Sequence, residues 1–277
     1  MSTAEQNQPV LWPAAPNDAP RARTKGRFHL SDHFVGWVIP ACLLIVWEIL
    51  ARAGYLPANW LPAPTVVART IYELGVSGDL WKHLEITVAR VAGGFLLGAS
   101  LGTFFGGLTG YLPVARKLLD PTLQSLRSVP SIAWVPLFLL WLGIRETSKI
   151  ALISVGAFFP VYLNLSVAVR HVDAKLVEIG RLYRLSGFDM LRRIILPAVL
   201  PEYIVGLRSG LGLAWMFVVA AELLGASSGL GYLMVDGQMT GRAAIIIASV
   251  ILFAVCGKLS DWMMSVIGAK LLGHRAR

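Results

Sequence analysis

Six charged side chains lie in or near the apolar runs of this sequence, where a charge is costly unless it faces a partner or a polar cavity. They are Glu48, Arg90, Arg127, Arg208, Glu222 and Asp261. Arg127 is the best candidate for lining a path for anions, together with its neighbours Ser128, Pro130 and Trp134. An ion pair, or snorkelling of Arg127 to an interface, is the alternative. Glu222 would repel an anion and instead suits a tether between helices or to another protein.

The sequence lacks several residue patterns that are typical of catalytic and metal sites. It has no Gly-x4-Gly-Lys-Ser/Thr phosphate loop, no His-Glu-x2-His and no Cys-x2-Cys. Its five histidines are scattered, and its two cysteines, Cys42 and Cys256, lie far apart within apolar runs. We therefore predict no catalytic residue, no metal site and no cofactor on this chain. Any ATP hydrolysis would belong to a partner.

The composition places these residues in an all-α integral membrane protein. Hydrophobic residues make up 56% of the 277 residues and charged residues only 15%, whereas soluble domains carry about 25% charged residues. Because a membrane helix needs about 20 apolar residues, the chain has room for about six spans. The formal net charge of +9 comes from basic residues that flank apolar runs, so we predict a lipid bilayer and no nucleic acid as partner.

The apolar runs divide the chain into spans and connections. The predicted spans are residues 34–52, 84–110, 119–142, 149–169, 204–225 and 243–267. With the N-terminus inside, the inner segments hold fifteen Lys and Arg residues against five in the outer ones, which predicts an N-in, C-in orientation. The predicted parts are a disordered cytoplasmic tail (1–30), an anchor helix and periplasmic segment (31–83), a transmembrane domain (84–270) and a short cytoplasmic tail (271–277). Within the second part, residues 66–83 read as one interfacial helical piece.

The second span carries a strip of glycines at every fourth position, from Gly94 to Gly110. Small residues at this spacing allow another helix to approach closely in lipid. We therefore predict that this strip packs against a helix and binds no ligand.

The basic segment 170–203 separates the fourth and fifth spans and has a helical pattern of its own. Its first helix is predicted over residues 174–185, with Leu176, Ile179, Leu182 and Tyr183 near one face. Ser186 is predicted to cap a second helix in a capping box with Asp189, and that helix should stop near Pro197. The pattern suits docking against a partner, and a loop resting on lipid headgroups is the alternative.

This segment resembles the cytoplasmic signature of binding-protein-dependent ABC importer permeases, which reads Glu-Ala-Ala, three residues, Gly, nine residues, Ile-x-Leu-Pro. Glu178 and residues 194–197 match it, and Gly180 takes the small third position. The departures are Ile179 for the second alanine and Arg184 for the glycine. We expect Gly187, three residues later, to supply the flexibility instead.

Short stretches along residues 60–270 are similar to the permeases of aliphatic sulfonate importers, which are kin of taurine and nitrate permeases. They are Leu61-Pro-Ala-Pro, Gly78-Asp-Leu-Trp-Lys-His, Arg127-Ser-Val-Pro-Ser, Trp141-Leu-Gly-Ile-Arg-Glu, Phe159-Pro-Val-Tyr and Gly229-Leu-Gly-Tyr-Leu. The resemblance implies a type I permease fold in a bacterial inner membrane. It also implies two ATPase subunits that hold ATP and Mg, a second permease copy as homodimer partner, and a periplasmic or extracellular substrate-binding protein.

The resemblance also implies which residues couple this chain to the ATPase. They are Leu176, Glu178, Ile179, Gly180, Tyr183, Arg184, Gly187, Ile194, Leu196 and Pro197. The expected substrate is an aliphatic sulfonate or a similar small anion, with taurine and nitrate as alternatives. A secondary transporter driven by an ion gradient is the competing function, because such proteins bind ions at broken helices like the third span.

Overall fold

The computed structural model describes residues 30–130, 133–223 and 225–273, and the regular structure in these ranges is helical. The chain forms two compact units, which divide between Ile45 and Val46. In the first unit, residues 30–45 are described and form a helix. Residues 1–29 of the expected N-terminal tail and residues 274–277 of the expected C-terminal tail lie outside the described residues.

Eleven α-helices follow one another in the described ranges. They are α1 (Leu30–Arg52), α2 (Pro64–Ser77), α3 (Asp79–Tyr111), α4 (Pro113–Arg127), α5 (Trp134–Leu142), α6 (Glu146–Arg170), α7 (Ala174–Leu182), α8 (Gly187–Met190), α9 (Leu196–Leu223), α10 (Leu230–Met239) and α11 (Ala243–Gly273). A π-helical turn, Leu191–Ile195, joins α8 to α9.

Four helices of the described chain are long and apolar enough to cross a membrane. They are α3, α6, α11 and the continuous helix Gly187–Leu223, which contains α8, the π turn and α9. They coincide with the second, fourth, sixth and fifth predicted spans. The first predicted span lies in α1, and the third is divided between α4 and α5. The total of six spans and the N-in, C-in orientation therefore stay predictions.

The core lies where α3, α6 and α9 pack together. Val91, Phe95 and Ala99 of α3 are buried there. They meet Ile153, Ala157 and Val161 of α6 and Leu211, Ala214 and Val218 of α9. The buried surface is apolar on all three helices, so the helices fix one another in place through packing.

The glycine strip of α3 faces α6, as predicted. A Cβ atom added at Gly98 would lie 2.2 Å from the backbone oxygen of Ser154, and one at Gly102 would lie 2.8 Å from that of Phe158. A side chain at either position would therefore hold the two backbones apart. The strip is the reason that α3 and α6 approach so closely.

Several predicted helix boundaries were wrong. The helix predicted over residues 174–185 ends at Leu182, because Arg184 turns the chain out of it. Residues 66–83 are not one piece, because Gly78 takes a left-handed conformation (φ 86°) that ends α2 and precedes α3. The helix that begins at Gly187 does not stop near Pro197 but continues to Leu223. In the π turn the Leu196 N–H donates to the Leu191 carbonyl oxygen, five residues back. This wider turn comes immediately before Pro197, whose ring would clash with the preceding turn of a regular α-helix.

The third predicted span is interrupted, as expected, but not at all three of its prolines. Pro121 lies inside α4 and Pro136 lies in the first turn of α5. The helices separate around Pro130, since α4 ends at Arg127 and α5 begins at Trp134. A proline disfavours helix in the residue before it, which agrees with a break at this position.

Candidate functional site

Side-chain caps fix the ends of the short helices α7 and α8. At the start of α7 the Asp173 carboxylate accepts a hydrogen bond of 2.9 Å from the Lys175 backbone N–H. The Ser186 hydroxyl oxygen accepts from the Asp189 backbone N–H at 3.2 Å, which confirms the predicted cap. The same hydroxyl donates to the Asp189 carboxylate at 2.8 Å. In a capping box the Asp189 carboxylate would accept a hydrogen bond from the Ser186 backbone N–H. Here it accepts from the Ser186 hydroxyl instead.

Arg184 stands at the residue that turns the chain out of α7. It has a φ of 52°, the one left-handed non-glycine residue in the described ranges. Its N–H donates to the Arg181 carbonyl at 2.9 Å, and the Leu185 N–H donates to the Gly180 carbonyl at 3.0 Å. This is the Schellman pattern, in which the left-handed position is usually a glycine. A side chain there costs about 1–2 kcal/mol.

The expectation that Gly187 replaces the missing glycine was therefore wrong. Gly187 begins α8 and is absent from the glycines with positive φ. Arg184 stands at the position of the signature's glycine and takes a left-handed conformation, which glycine favours. The left-handed turn is therefore present although arginine replaces the glycine that favours it.

Gly180 and Ile194, both predicted coupling residues, meet inside the segment. A Cβ atom at Gly180 would lie 2.6 Å from the Ile194 Cδ1 and 2.6 Å from the Met190 Sδ. The small third position of the signature therefore lets α7 pack directly on the π turn. Below it, Leu165 and Ala168 of α6 form a buried cluster with Met190, Ile195 and Val199. Val177 of α7 packs against this cluster, which thereby links α7 to α6 and α9.

The outer side of the same segment is apolar and exposed. We call it the elbow surface, and its members are Leu176, Ile179, Leu182, Tyr183 and Phe188. Leu182 is 81% exposed, Tyr183 78% and Phe188 71%. Glu178 is also exposed, and Leu196 and Pro197 are the first two residues of α9. Large apolar side chains this exposed, on one short segment of the chain, are typical of a surface that another molecule covers. The sequence predictions did not include Phe188.

The four residues predicted to line an anion path share one cavity. It has a volume of about 480 Å³, and Arg127, Ser128, Pro130 and Trp134 line it together with residues of α6 and α9. Arg127 is the one charged side chain in this lining, and it is exposed. No ion pair joins it to another described residue. Phe159, Leu213 and Met216 make much of the remaining wall apolar.

An ionic network lies at the opposite ends of α3, α6 and α9 from α7, and within it Arg90 and Glu222 are buried while Glu146 is exposed. The Arg90 guanidinium donates to the Glu222 carboxylate at 2.7 Å and to the Glu146 carboxylate at 2.6 Å. Glu222 also accepts from the Thr87 hydroxyl at 2.8 Å and from the Gly231 N–H at 2.8 Å. Of the two predicted roles of Glu222, the tether between helices is the one its contacts support.

Sequence reasoning named Arg90 and Glu222 but did not pair them. It likewise named Arg208 and Asp261 separately, although the Arg208 guanidinium donates two hydrogen bonds to Asp261, of 2.8 and 2.9 Å. Opposite charges in two apolar spans are a signal for such a pair. Among the described residues, no group of three His, Cys, Asp or Glu side chains is arranged to hold a metal ion.

The family described as the inner membrane component of binding-protein-dependent transport systems matches residues 94–273. The match includes α7, the elbow surface and every residue that lines the cavity beside Arg127. The chain belongs to this family.

Two similar permeases are named for the transport of aliphatic sulfonates. The one from Bacillus subtilis is 44% identical over 87% of this chain and 87% of its own length. The one from Escherichia coli is 39% identical over 81% of this chain and 86% of its own. The resemblance to this family is thereby confirmed, and with it the assignment as an inner-membrane permease.

The fold agrees with a solved structure of the MetNI methionine ABC transporter in an inward-facing conformation. The TM-score is 0.54 at 19% identity, and the match covers 72% of this chain and 95% of that one. At this identity the likeness concerns the fold alone. It confirms the predicted all-α ABC importer permease architecture.

Proposed function

We propose that this permease is the membrane subunit of an ATP-driven importer of aliphatic sulfonates or similar small anions. The observation that carries the proposal is its 44% identity, over most of both chains, with a permease named for these substrates. Two copies of this chain would form the pore with two ATPase subunits, and an external binding protein would deliver the substrate. ATP and Mg would be bound by the ATPase subunits.

The elbow surface is the proposed ATPase contact. Its exposed apolar residues would fill a cleft of the ATPase, and Glu178 would pair there with a cationic or backbone N–H group. Aromatic and aliphatic anchors surrounded by polar groups are typical of such interfaces. Arg184 and the other predicted coupling residues would preserve the shape of the segment.

The geometry of the segment suits the transmission of force. Gly187–Leu223 is one continuous helix, and it carries both Phe188 of the elbow surface and Leu213 of the cavity wall. These two residues are 25 positions apart, or about 38 Å along the helix axis. Because the buried cluster fixes α7 to this helix, a push on the elbow would shift the cavity wall. A loosely attached segment would absorb that displacement.

Charge reversal at Glu178 should uncouple the chain from its ATPase. We expect Glu178→Lys to weaken co-purification of the ATPase, and ATP-dependent sulfonate uptake into vesicles, by at least about tenfold, since losing one charged interface contact costs about 2 kcal/mol or more. Glu85→Lys is the matched control, because Glu85 is exposed near the other end of α3. ATPase binding by that variant should stay within about twofold of wild type.

Normal uptake by Glu178→Lys would contradict the coupling role. Uptake that needs an ion gradient and no internal ATP would instead establish the secondary transporter. Competition by taurine or nitrate in the same vesicles would identify the preferred anion.

Arg127 is the proposed anion contact in the cavity. We expect Arg127→Gln to raise the apparent KM for a short alkanesulfonate by about tenfold, because a charge-assisted hydrogen bond contributes about 1.5–3 kcal/mol. Arg145→Gln is the control, since Arg145 is exposed in the connection before α6 and does not line the cavity. Unchanged uptake kinetics in Arg127→Gln would remove this residue from the path and favour an interfacial role.

A further inference from the structure

A second cavity, of about 440 Å³, lies beside α7 and is lined by arginines from three helices. Arg116 comes from α4, Arg170 from α6 and Arg181 from α7. We call it the arginine cavity. Glu178 is the one acidic residue in its lining. The lining therefore carries an excess of positive charge, which is costly to gather without an anion.

The charges in the arginine cavity are poorly compensated within the described chain. Arg116 and Arg181 form no ion pair, and the nearest acid to Arg170 is Asp120, at 3.9 Å. Glu178 lies in the same lining but pairs with none of the three within 4.0 Å. The three guanidinium groups thus keep donors for a further acceptor. Guanidinium groups match the geometry of phosphate oxygens especially well.

The position of the cavity indicates where that phosphate comes from. Tyr111, the last residue of α3, and Arg170, the last of α6, both line it. A helix of 33 residues such as α3 is about 50 Å long, whereas the hydrocarbon layer is about 30 Å thick, so its last turn reaches the headgroups. Basic pockets between membrane helices at this level are typical sites for anionic lipid headgroups.

The surroundings of the cavity fit a lipid better than a soluble anion. Val169, Val172 and Ile195 supply apolar lining in the same cavity as the arginines. Leu112 and Val114, at the corner between α3 and α4, are exposed apolar side chains close in sequence to Arg116. A phospholipid would place its phosphate among the arginines and its glycerol and acyl groups against these residues. A free phosphate would leave them uncovered.

We propose that the arginine cavity binds the phosphate group of an anionic phospholipid. Occupation would link α4, α6 and α7 through one ligand and would fix the face of α7 that carries Val177 and Arg181. Glu178 lies at the border between this face and the elbow surface, because it is three residues before Arg181 and four before Leu182. The proposal does not depend on the transported substrate.

The test measures lipid binding to the purified full-length chain in neutral detergent by native mass spectrometry, with phosphatidylglycerol compared with phosphatidylcholine. Wild type should retain phosphatidylglycerol preferentially. Arg116→Gln/Arg181→Gln should weaken that binding about 25-fold, since each basic residue near a membrane surface contributes about fivefold. Lys117→Gln/Arg192→Gln is the matched control, because it removes two charges that do not line the cavity.

Arg116→Lys/Arg181→Lys keeps the charge and should retain most of the binding, which separates loss of the site from loss of the fold. Inorganic phosphate that displaces the lipid below about 1 mM would bind with about −4 kcal/mol or better. That result would show that the site takes free phosphate and would overturn the lipid as the source of the phosphate group. Equal lipid binding in wild type and both glutamine variants would overturn the site itself.

Discussion

Replacing Arg90 with methionine should lower the free energy of unfolding by about 3–5 kcal/mol, because it leaves a buried carboxylate without its cation. The Arg90 side chain is 3% exposed and that of Glu222 is fully buried. Water cannot reach Glu222 to replace the lost charge. The thioether of methionine fills much of the space but offers the carboxylate no donor. The change is measurable as a shift in the midpoint of denaturant unfolding of the chain in detergent micelles.

Arg208→Met is the matched control for this prediction. Arg208 also pairs with a carboxylate on another span, but its side chain is 40% exposed and that of Asp261 is 35% exposed. A pair that the surrounding protein leaves open to water contributes only about 0–1 kcal/mol. If both variants lose the same stability, burial does not determine the strength of these pairs, and the prediction is wrong.

A double variant separates the unpaired charge from the lost packing. Arg90→Met/Glu222→Gln removes the buried negative charge together with its partner. It should recover part of the stability lost in Arg90→Met alone, because an unpaired buried group costs more than the absence of the pair. No recovery would mean that Arg90 stabilises the fold mainly through Glu146, its other acidic partner.

The network also explains how the connection between α9 and α10 is held. The Arg90 guanidinium donates to the Ser228 carbonyl at 2.6 Å, and the Gly229 N–H donates to the His83 ring nitrogen at 3.0 Å. A Cβ atom at Gly229 would lie 2.4 Å from the Glu222 carboxylate. The loop therefore fits against the ion pair only with glycine at this position. Weakening the Arg90–Glu222 pair should therefore loosen the connection between α9 and α10 at an earlier stage of unfolding than the core.

Local signals in the sequence were enough for the Ser186 cap and for the four spans that the structure supports. Ser186 followed by Asp189 predicted the start of α8 because the cap involves residues three positions apart. Pro197 led to the wrong prediction that the helix stops there. A proline ring clashes with the preceding turn of a regular α-helix, and the π turn before Pro197 avoids this clash. The break at Gly78 was missed because its flanking residues continue the helical pattern on both sides.

Contacts between distant residues could be predicted only in part. The prediction for the glycine strip was only that some helix packs against α3, and the spacing of the glycines was enough to make it. The pairing of Arg90 with Glu222 joins residues 132 positions apart, and six charges in apolar runs allow several pairings. The conformation of Arg184 was missed for another reason. Tertiary packing of α7 holds a residue in a conformation that its own preference disfavours.

The glycine strip gives the second large expected effect. Alanine substitutions in it should lose more stability the closer the added Cβ atom comes to α6. In Gly98→Ala the new Cβ atom would lie 2.2 Å from the Ser154 backbone oxygen, so the two helices must separate. Overpacking of this kind costs about 1–3 kcal/mol, and backbone cannot rotate away as a side chain can. We therefore expect a loss near the upper end of that range, measured by denaturant unfolding in micelles.

Gly107→Ala is the control on the same helix, since no atom lies within 4 Å of a Cβ built there. Alanine should stabilise α3 at this position by about 0.5–1 kcal/mol through its greater helix propensity. Gly102→Ala, with its closest atom at 2.8 Å, should fall between the two variants. Because all three substitutions add one methyl group to one helix, helix propensity alone would move them in the same direction. A stability order that ignores these distances would show that close approach to α6 is not what the strip provides.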